Sequence, residues 1–240
     1  MQLKTRIIVI GTIKYGDTSL IARCYSETLG FQSYLLKGIL SAKKTGLKKG
    51  LFQPFSELAA VVYHHPQRQL HHIREAQLIA SSHFQQPDVV QQTITLFLAE
   101  VVQEVLQEEA EPNPGLYAFL TSAIQFLENS AYKANFHLKF LIEMTKFIGF
   151  YPSVDPTEKA YFDLESGNFQ DQKPTGPYLE GVTLFYFKRL FGTNFDKLHT
   201  LQLDKDVKKE LLNAILNYYS LHLQHFGKPK SLQILQTVFA

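Results

Sequence analysis

The apolar positions of the first third of the chain fall in short runs rich in Ile, Val, Leu and aromatic residues, broken by turn-forming residues. Residues 3–13 alternate imperfectly and predict a first strand with Arg6 on its polar side. KYGDTS predicts a turn, residues 20–26 a second strand, residues 28–30 a short turn, and Phe31 opens a third strand. A fourth strand, about 55–63, and a fifth, about 70–79, are joined by HHPQRQ. From Ser82 the period changes. Residues 87–109 place Val90, Ile94, Phe97, Leu98, Val101, Val102 and Val105 at helical spacing, with Asp88 in the first turn. Further helical runs cover 115–130 and 134–148, the latter closed by Gly149 and Pro152. Others cover 179–191, 204–226 and 231–239, with Asp204 and Ser231 as N-caps. Residues 150–178 interrupt this pattern with four prolines and a central YFDLESGNF, which reads as a small hairpin turning at Ser166 and Gly167.

Five short strands with one long connection between the third and fourth match a small closed Greek-key barrel such as the OB-fold; a simple meander sheet fits the same tally. The expected class is α+β multidomain, with a five-stranded OB-fold barrel over residues 1–80. An all-α helical domain over 81–240 follows, carrying the irregular hairpin insertion at 151–178. No repeat of 20 to 50 residues is visible.

Charge singles out the long connection. Lys37, Lys43, Lys44, Lys48 and Lys49 lie between Glu27 and Glu57 with no carboxylate among them. Overall charge is only +2, but residues 1–80 hold 11 Lys and Arg against 4 Asp and Glu, while the remainder holds 13 against 18. A cationic loop held out by flanking strands suits a polyanion, since ammonium groups neutralise phosphates and release their counterions. GILSAKKT, residues 38–45, is one residue away from the nucleotide-binding pattern G-x-x-x-x-G-K-[ST]. Lys43 stands where backbone amides need the second glycine to curl around phosphates, and the following TGLKKGLFQP cannot open a helix.

Other chemistry is sparse. Cys24 is the single cysteine, so neither an intrachain disulfide nor a thiolate zinc cluster can form, which fits a reducing compartment and a buried small hydrophobe. The N-terminal apolar run is too short for a signal peptide, and no stretch approaches 18 consecutive apolar residues; a cytoplasmic protein off the membrane is expected. His64, His65, His71 and His72 cluster on one predicted hairpin, but strand neighbours point to opposite faces and a zinc ion needs at least three protein ligands. His222 and His225 share a helix face without an evident third ligand. The chain carries no G-x-S-x-G, H-E-x-x-H or dinucleotide fingerprint, so neither an enzyme nor a cofactor is expected. Tyr15, Phe31, Tyr34, Phe52 and Phe55 interleave with cations; they could stack on unpaired bases or fill the barrel. The residues alone leave DNA binding, structured-RNA binding and a protein adaptor docking an acidic tail open.

The chain resembles the bacterial RecO recombination mediators. The resemblance lies in the YGD turn, ETLGFQSYLLKG, the lysine-rich stretch leading into LFQPFSELAAVVY, and LHHIREAQL. Further along it continues in KFLIEMTKFIGFYP, YFDLESGNF, LNYYSLHL and KSLQILQTVF, so that it spans essentially the whole chain. It implies a nucleoid-associated, non-enzymatic protein that binds single- and double-stranded DNA and anneals strands without ATP. Its implied partners are RecR, the C-terminal tail of single-stranded-DNA-binding protein and, indirectly, RecA. The implied DNA contacts are Lys37, Lys43, Lys44, Lys48 and Lys49, and we add Arg6, Arg23 and Tyr34 from the same half. Lys139 beside Phe140 matches a basic-aromatic pair of the tail groove. Some members hold zinc on four cysteines where this chain has 151–176; no cysteine stands there, so no metal is expected and the hairpin takes that place as a cap.

Overall fold

The computed structural model describes residues 1–41, 46–79, 88–153 and 158–239; Lys43 and Lys44 lie outside the described residues. The chain divides into two compact units, Met1–Glu128 and Asn129–Ala240.

In the first unit, β1 (Gln2–Tyr15), β2 (Ser19–Ser26), β3 (Gly30–Leu36), β4 (Glu57–Tyr63) and β5 (Leu70–Leu78) close into a barrel in the order β1-β2-β3-β5-β4. This is the OB-fold. The parallel pairing of β3 with β5 and the return of β4 onto β1 exclude the meander. One strand must therefore serve two partners. β1 does so by pairing through Ile7–Tyr15 with β2 and through Gln2–Ile8 with β4, and the register irregularity between Val9 and Gly11 lets it turn the corner. Alternate residues point inward, among them Ile7, Val9, Leu20, Ala22, Cys24, Tyr34, Leu36, Leu58, Val62 and Ile73. β3 and β5 pair only across Ser33–Leu35 and Leu70–His72. Beyond that point Ile39, Leu47, Leu51 and Phe52 from the long connection close the core.

Two helices belong to the same unit: α1 (Val89–Glu108) and α2 (Pro114–Asn129). Asp88 is the N-cap of α1, accepting from the backbone N–H of Val90 at 2.9 Å and of Gln91 at 3.2 Å. Asn113 does the same for α2, accepting from Leu116 N at 2.9 Å, and Pro114 takes the first helical position, where no N–H is needed. By length and composition α1 is apolar enough to cross a membrane, but half of that window is buried, with Ile94, Phe97, Leu98, Val101 and Val102 inside the unit. The connection between the helices is tied to the β2–β3 hairpin. Phe31 N donates to Ala110 O at 2.7 Å, and the Tyr25 hydroxyl donates to Glu111 O at 3.2 Å while accepting from Asn113 N at 2.9 Å. The period change near residue 80 thus marks the end of the barrel, whereas the first compact unit runs on to Glu128.

The second unit is built on α3 (Phe136–Met144), extended by a 3-10 turn at Thr145–Phe147. α3 is buried along nearly its whole length, its polar His137 and Lys139 included, as befits a helix enclosed by others, and it packs against α4 (Gly181–Gly192) and α5 (Lys205–His222). α6 (Leu232–Val238) follows. Asp204 stands at the N-cap position of α5 without making a capping bond. The expected hairpin is present as β6 (Tyr161–Asp163) and β7 (Asn168–Gln170), joined by β8 (Tyr178–Leu179) into a three-stranded sheet. An aromatic cluster fixes it. Phe162 lies 4.7 Å from Phe169, 4.8 Å from Phe187 and 5.8 Å from Tyr218, ring centre to ring centre. His222 packs against it, its Nε2 meeting Leu164 O at 3.0 Å and its ring stacking on Phe150 at 5.1 Å.

Candidate nucleic-acid interface

Strand pairing dictates which side chains share the outer surface of the barrel. Tyr63 pairs with His72, His72 with Leu35, Leu35 with Ile21, and Ile21 with Ile13. Tyr63, His72, Leu35 and Ile21 each stand next to an inward-facing neighbour and so point outward, and Ile13 continues their row on β1 through its pairing with Ile21. Tyr63 is 47% exposed and Ile13 44%. One pleat repeat away a second row runs Leu70, Ser33, Arg23, Gly11. On the opposite flank Lys37 and Arg74 line a groove of about 200 Å³ together with Leu35, His72, Gly46 and Leu47, at the point where β3 and β5 part. The Arg74 guanidinium donates to Gln2 Oε1 at 3.2 Å, and Gln2 is the partner of Tyr63 on β1, so Arg74 brackets the row at that end. The Glu75 carboxylate lies 3.2 Å from Arg74 Nε, with both side chains exposed. Lys48 and Lys49 are exposed just after Leu47, on a 3-10 turn at Lys49–Leu51 whose Leu51 packs on the core.

The expected contacts sort accordingly. Lys37, Lys48, Lys49 and Arg23 lie on or beside this face. Tyr34 does not: it is 0% exposed and faces inward opposite Ala22 and His71, and burial pushes its phenol well above the ordinary value. FQSYLL carries apolar residues on both phases, so its alternation could not tell Tyr34 from Leu35. Phe52 and Phe55 are also buried, whereas Tyr15 is 52% exposed at the β1–β2 turn. Arg6 is exposed but committed. Its Nε and Nη2 donate to the two oxygens of Glu27 at 2.9 and 2.7 Å, and it lines another groove, shared with Lys4, Ala59 and Gln77. Hydrogen bonding to Glu27 raises the guanidinium pKa, and the same bond lowers that of Glu27.

Lys139 and Phe140 are corrected by their burial, 3% and 0% exposed. The Lys139 ammonium donates to Glu143 Oε1 at 2.6 Å, Leu190 O at 2.7 Å and Phe191 O at 3.3 Å, so it ties α3 to the C-terminal carbonyls of α4. Burial lowers its pKa and Glu143 opposes that shift. This unit also holds a cleft of about 620 Å³ between the start of α5 and α6, rimmed by Lys205, Lys208 and Lys209 with Asp206 among them, and floored by Leu212 and Leu235. Among the described residues, no group of three or more His, Cys, Asp or Glu is placed to hold a metal ion.

The family model "Recombination protein O N terminal" matches residues 1–82 and "Recombination protein O C terminal" matches 86–233. The chain belongs to the RecO family. A Flavobacterium psychrophilum protein named DNA repair protein RecO is 37% identical over 240 residues, with all of both chains covered. Proteins of the same name from Christiangramia forsetii and Bacteroides fragilis are each 32% identical, again over the full length of both chains.

The barrel face of this RecO chain also includes Tyr63 and Arg74, which the charge and motif pattern did not single out, beside His72 of the histidine cluster; Ile73 is an inward residue, so its neighbours His72 and Arg74 face outward.

Proposed function

We propose that this protein is a DNA-binding mediator of recombinational repair that works without catalysis. It would bind single- and double-stranded DNA on the barrel face, anneal complementary strands without ATP, and help RecR load RecA on DNA coated with single-stranded-DNA-binding protein. The observation that carries this reading is the pairing of Lys37 and Arg74 on one groove of an OB-fold barrel, with the exposed Lys48 and Lys49 directly following its lining residue Leu47, in a chain whose relatives are named for DNA repair. Ammonium groups there would screen phosphate repulsion between strands, and Lys43 and Lys44 from the same connection would add to them. Cation-only binding of this kind is read by its salt dependence.

The acidic tail of single-stranded-DNA-binding protein would take the cleft of the second unit. Support comes from its three rim lysines over an apolar floor, which suit carboxylates beside an apolar side chain. The protein would act in the cytoplasm, at the nucleoid.

If all five lysines from Lys37 to Lys49 meet phosphate, log affinity for a single strand falls with log salt at a slope of about −3.5. Replacing all five with Ala should flatten that slope and abolish annealing in an assay run without ATP. A slope unchanged by the replacement rejects the loop as the contact, and tighter competition by RNA than by DNA rejects DNA as the ligand.

A further inference from the structure

The barrel closes through its shortest ladder. β3 and β5 pair only over Ser33–Leu35 and Leu70–His72, whereas each of the other four strand pairs runs through six or more residues. Parting β3 from β5 would turn the barrel into an open sheet of order β3-β2-β1-β4-β5 with every other pairing kept. At the centre of this seam Tyr34 pairs with His71, both facing inward, at 0% and 3% exposed. Their ring centres lie 6.1 Å apart, and the His64 ring lies 4.5 Å from that of His71. Two polar atoms in this cluster are poorly served. The Tyr34 hydroxyl and His64 Nδ1 are buried with no hydrogen-bond partner among the described residues. Keeping such groups dry costs free energy that hydration restores on opening, so the closed seam is held by few bonds and opposed by its own side chains.

His71 couples this balance to protons. The His65 N–H lies 3.5 Å from His71 Nδ1, so the neutral ring accepts there and carries its proton on Nε2. An imidazolium would set a second N–H against that donor. The titratable groups facing His71 are Tyr34 from β3, His64 and His65 from the β4–β5 turn, and its own neighbour His72; beyond Tyr34 the core holds the Cys24 thiol. None of these is a carboxylate, so among the described residues no anion is placed to receive the charge. Burial, reinforced by the three histidines, holds the His71 pKa below its ordinary value. The closed form thus keeps the ring neutral, while the open form lets it take up a proton. Closure is fully supported above about pH 6.5 and weakens as pH falls below it. We propose that the β3–β5 seam is an acid-operated latch: protonation of His71 beside His64 parts the two strands, opens the barrel at that one seam, and separates Lys37, which follows β3, from Arg74 on β5. These two cations share the groove at the seam. On the DNA-binding reading the latch takes that groove apart in acid, but the latch itself does not rest on that reading.

The test follows amide hydrogen exchange residue by residue in the full chain, by NMR at pH 7.5 and pH 5.5, with the intrinsic pH dependence of exchange divided out. Protection of the amides that cross the seam, within Ser33–Leu35 and Leu70–His72, should fall about tenfold over the unit below pH 6.5. Amides shared by β1 and β2, between Ile7 and Ser26, should keep theirs. Unchanged seam protection overturns the latch, and so does an equal loss in β1 and β2, which would mean that the whole barrel unfolds in acid. His71→Phe keeps a ring against Tyr34 and cannot take up a proton, so its seam protection should be the same at both pH values. A pH-dependent loss that survives in this variant overturns the proposal. The His71 imidazole resonance of the wild-type protein gives an answer that needs no variant to fold. Proton uptake that tracks the loss of seam protection supports the latch, and uptake with the seam amides still protected overturns it.

Discussion

The ammonium of Lys139 lies 2.6 Å from Glu143 Oε1, four residues on along α3, with 4% and 15% of the two side chains exposed. The pair is structural, because the same nitrogen also satisfies the carbonyls of Leu190 and Phe191 at the end of α4. Lys139→Ala leaves those acceptors unpaired and removes one of the two cations on Glu143; Lys146 remains, at 2.6 Å from Oε2. A loss of about 3 kcal/mol is expected in urea denaturation followed by circular dichroism. Binding of an acidic peptide under conditions where the variant is folded should match wild type. A weakened peptide with unchanged stability would return Lys139 to the partner surface.

Arg6 allows a parallel separation on the barrel. Its fork is spent on Glu27, and the nearly buried Glu57 lies 3.9 Å from it while accepting from the Tyr117 hydroxyl at 3.1 Å. Arg6→Ala should therefore cost about 1 kcal/mol of stability, because the main pair is largely solvent-exposed and screened, and leave the slope of DNA affinity against salt unchanged. A slope flattened by about 0.7, the share of one phosphate contact on a single strand, would place Arg6 on the DNA.

How far the sequence could be read follows from which physical signal each feature leaves. β2 and β5 are set off by turn-forming residues on their flanks, and their bounds fall within a residue of the expected ones. β3 carries apolar residues on both phases, so Tyr34 and Leu35 were indistinguishable until pairing with β5 fixed which one faces in. The lysines of the long connection were legible because charge needs no partner to be seen. The burial of Lys139 was not, since its partners Leu190 and Phe191 lie 51 and 52 residues away along the chain. Closure of the barrel was equally hidden: it depends on β1 bending at Val9 and Gly11 to serve two strands.

Gly30 gives a sharp test of the tie between the β2–β3 hairpin and the α1–α2 connection. Its φ is +69°, and a Cβ there would stand 2.1 Å from the Ala110 carbonyl oxygen, the acceptor of the Phe31 N–H. Gly30→Ala meets both a disfavoured backbone conformation and a backbone clash that no side-chain rotation relieves. We expect a loss of at least about 2 kcal/mol and a marked fall in soluble yield. Gly16, whose φ is +61° but whose Cβ would meet nothing within 4 Å, serves as the control: Gly16→Ala should cost only about 1 kcal/mol. Equal losses at the two sites would show that the connection moves aside freely.

His137 sets a pH dependence in the second unit. It is 1% exposed, its ring stacks on Phe239 at 5.1 Å, and burial, reinforced by the nearby Lys208 ammonium, pushes its pKa from 6.5 down to about 3. The folded state therefore holds it neutral while the unfolded chain takes up a proton below about pH 6.5. Its contribution to stability is fully present above that pH and is lost as pH falls toward 3, at about 1.4 kcal/mol per pH unit. His71, lowered by burial and by His64, His65 and His72, adds a loss of the same sign in the first unit. His137→Phe keeps an aromatic ring against Phe239 and removes the titration. Denaturant midpoints measured between pH 7.5 and 4.5 should fall more gently for this variant, by close to the slope of one proton. Parallel curves for the two proteins would mean that His137 is protonated in place without disturbing the fold.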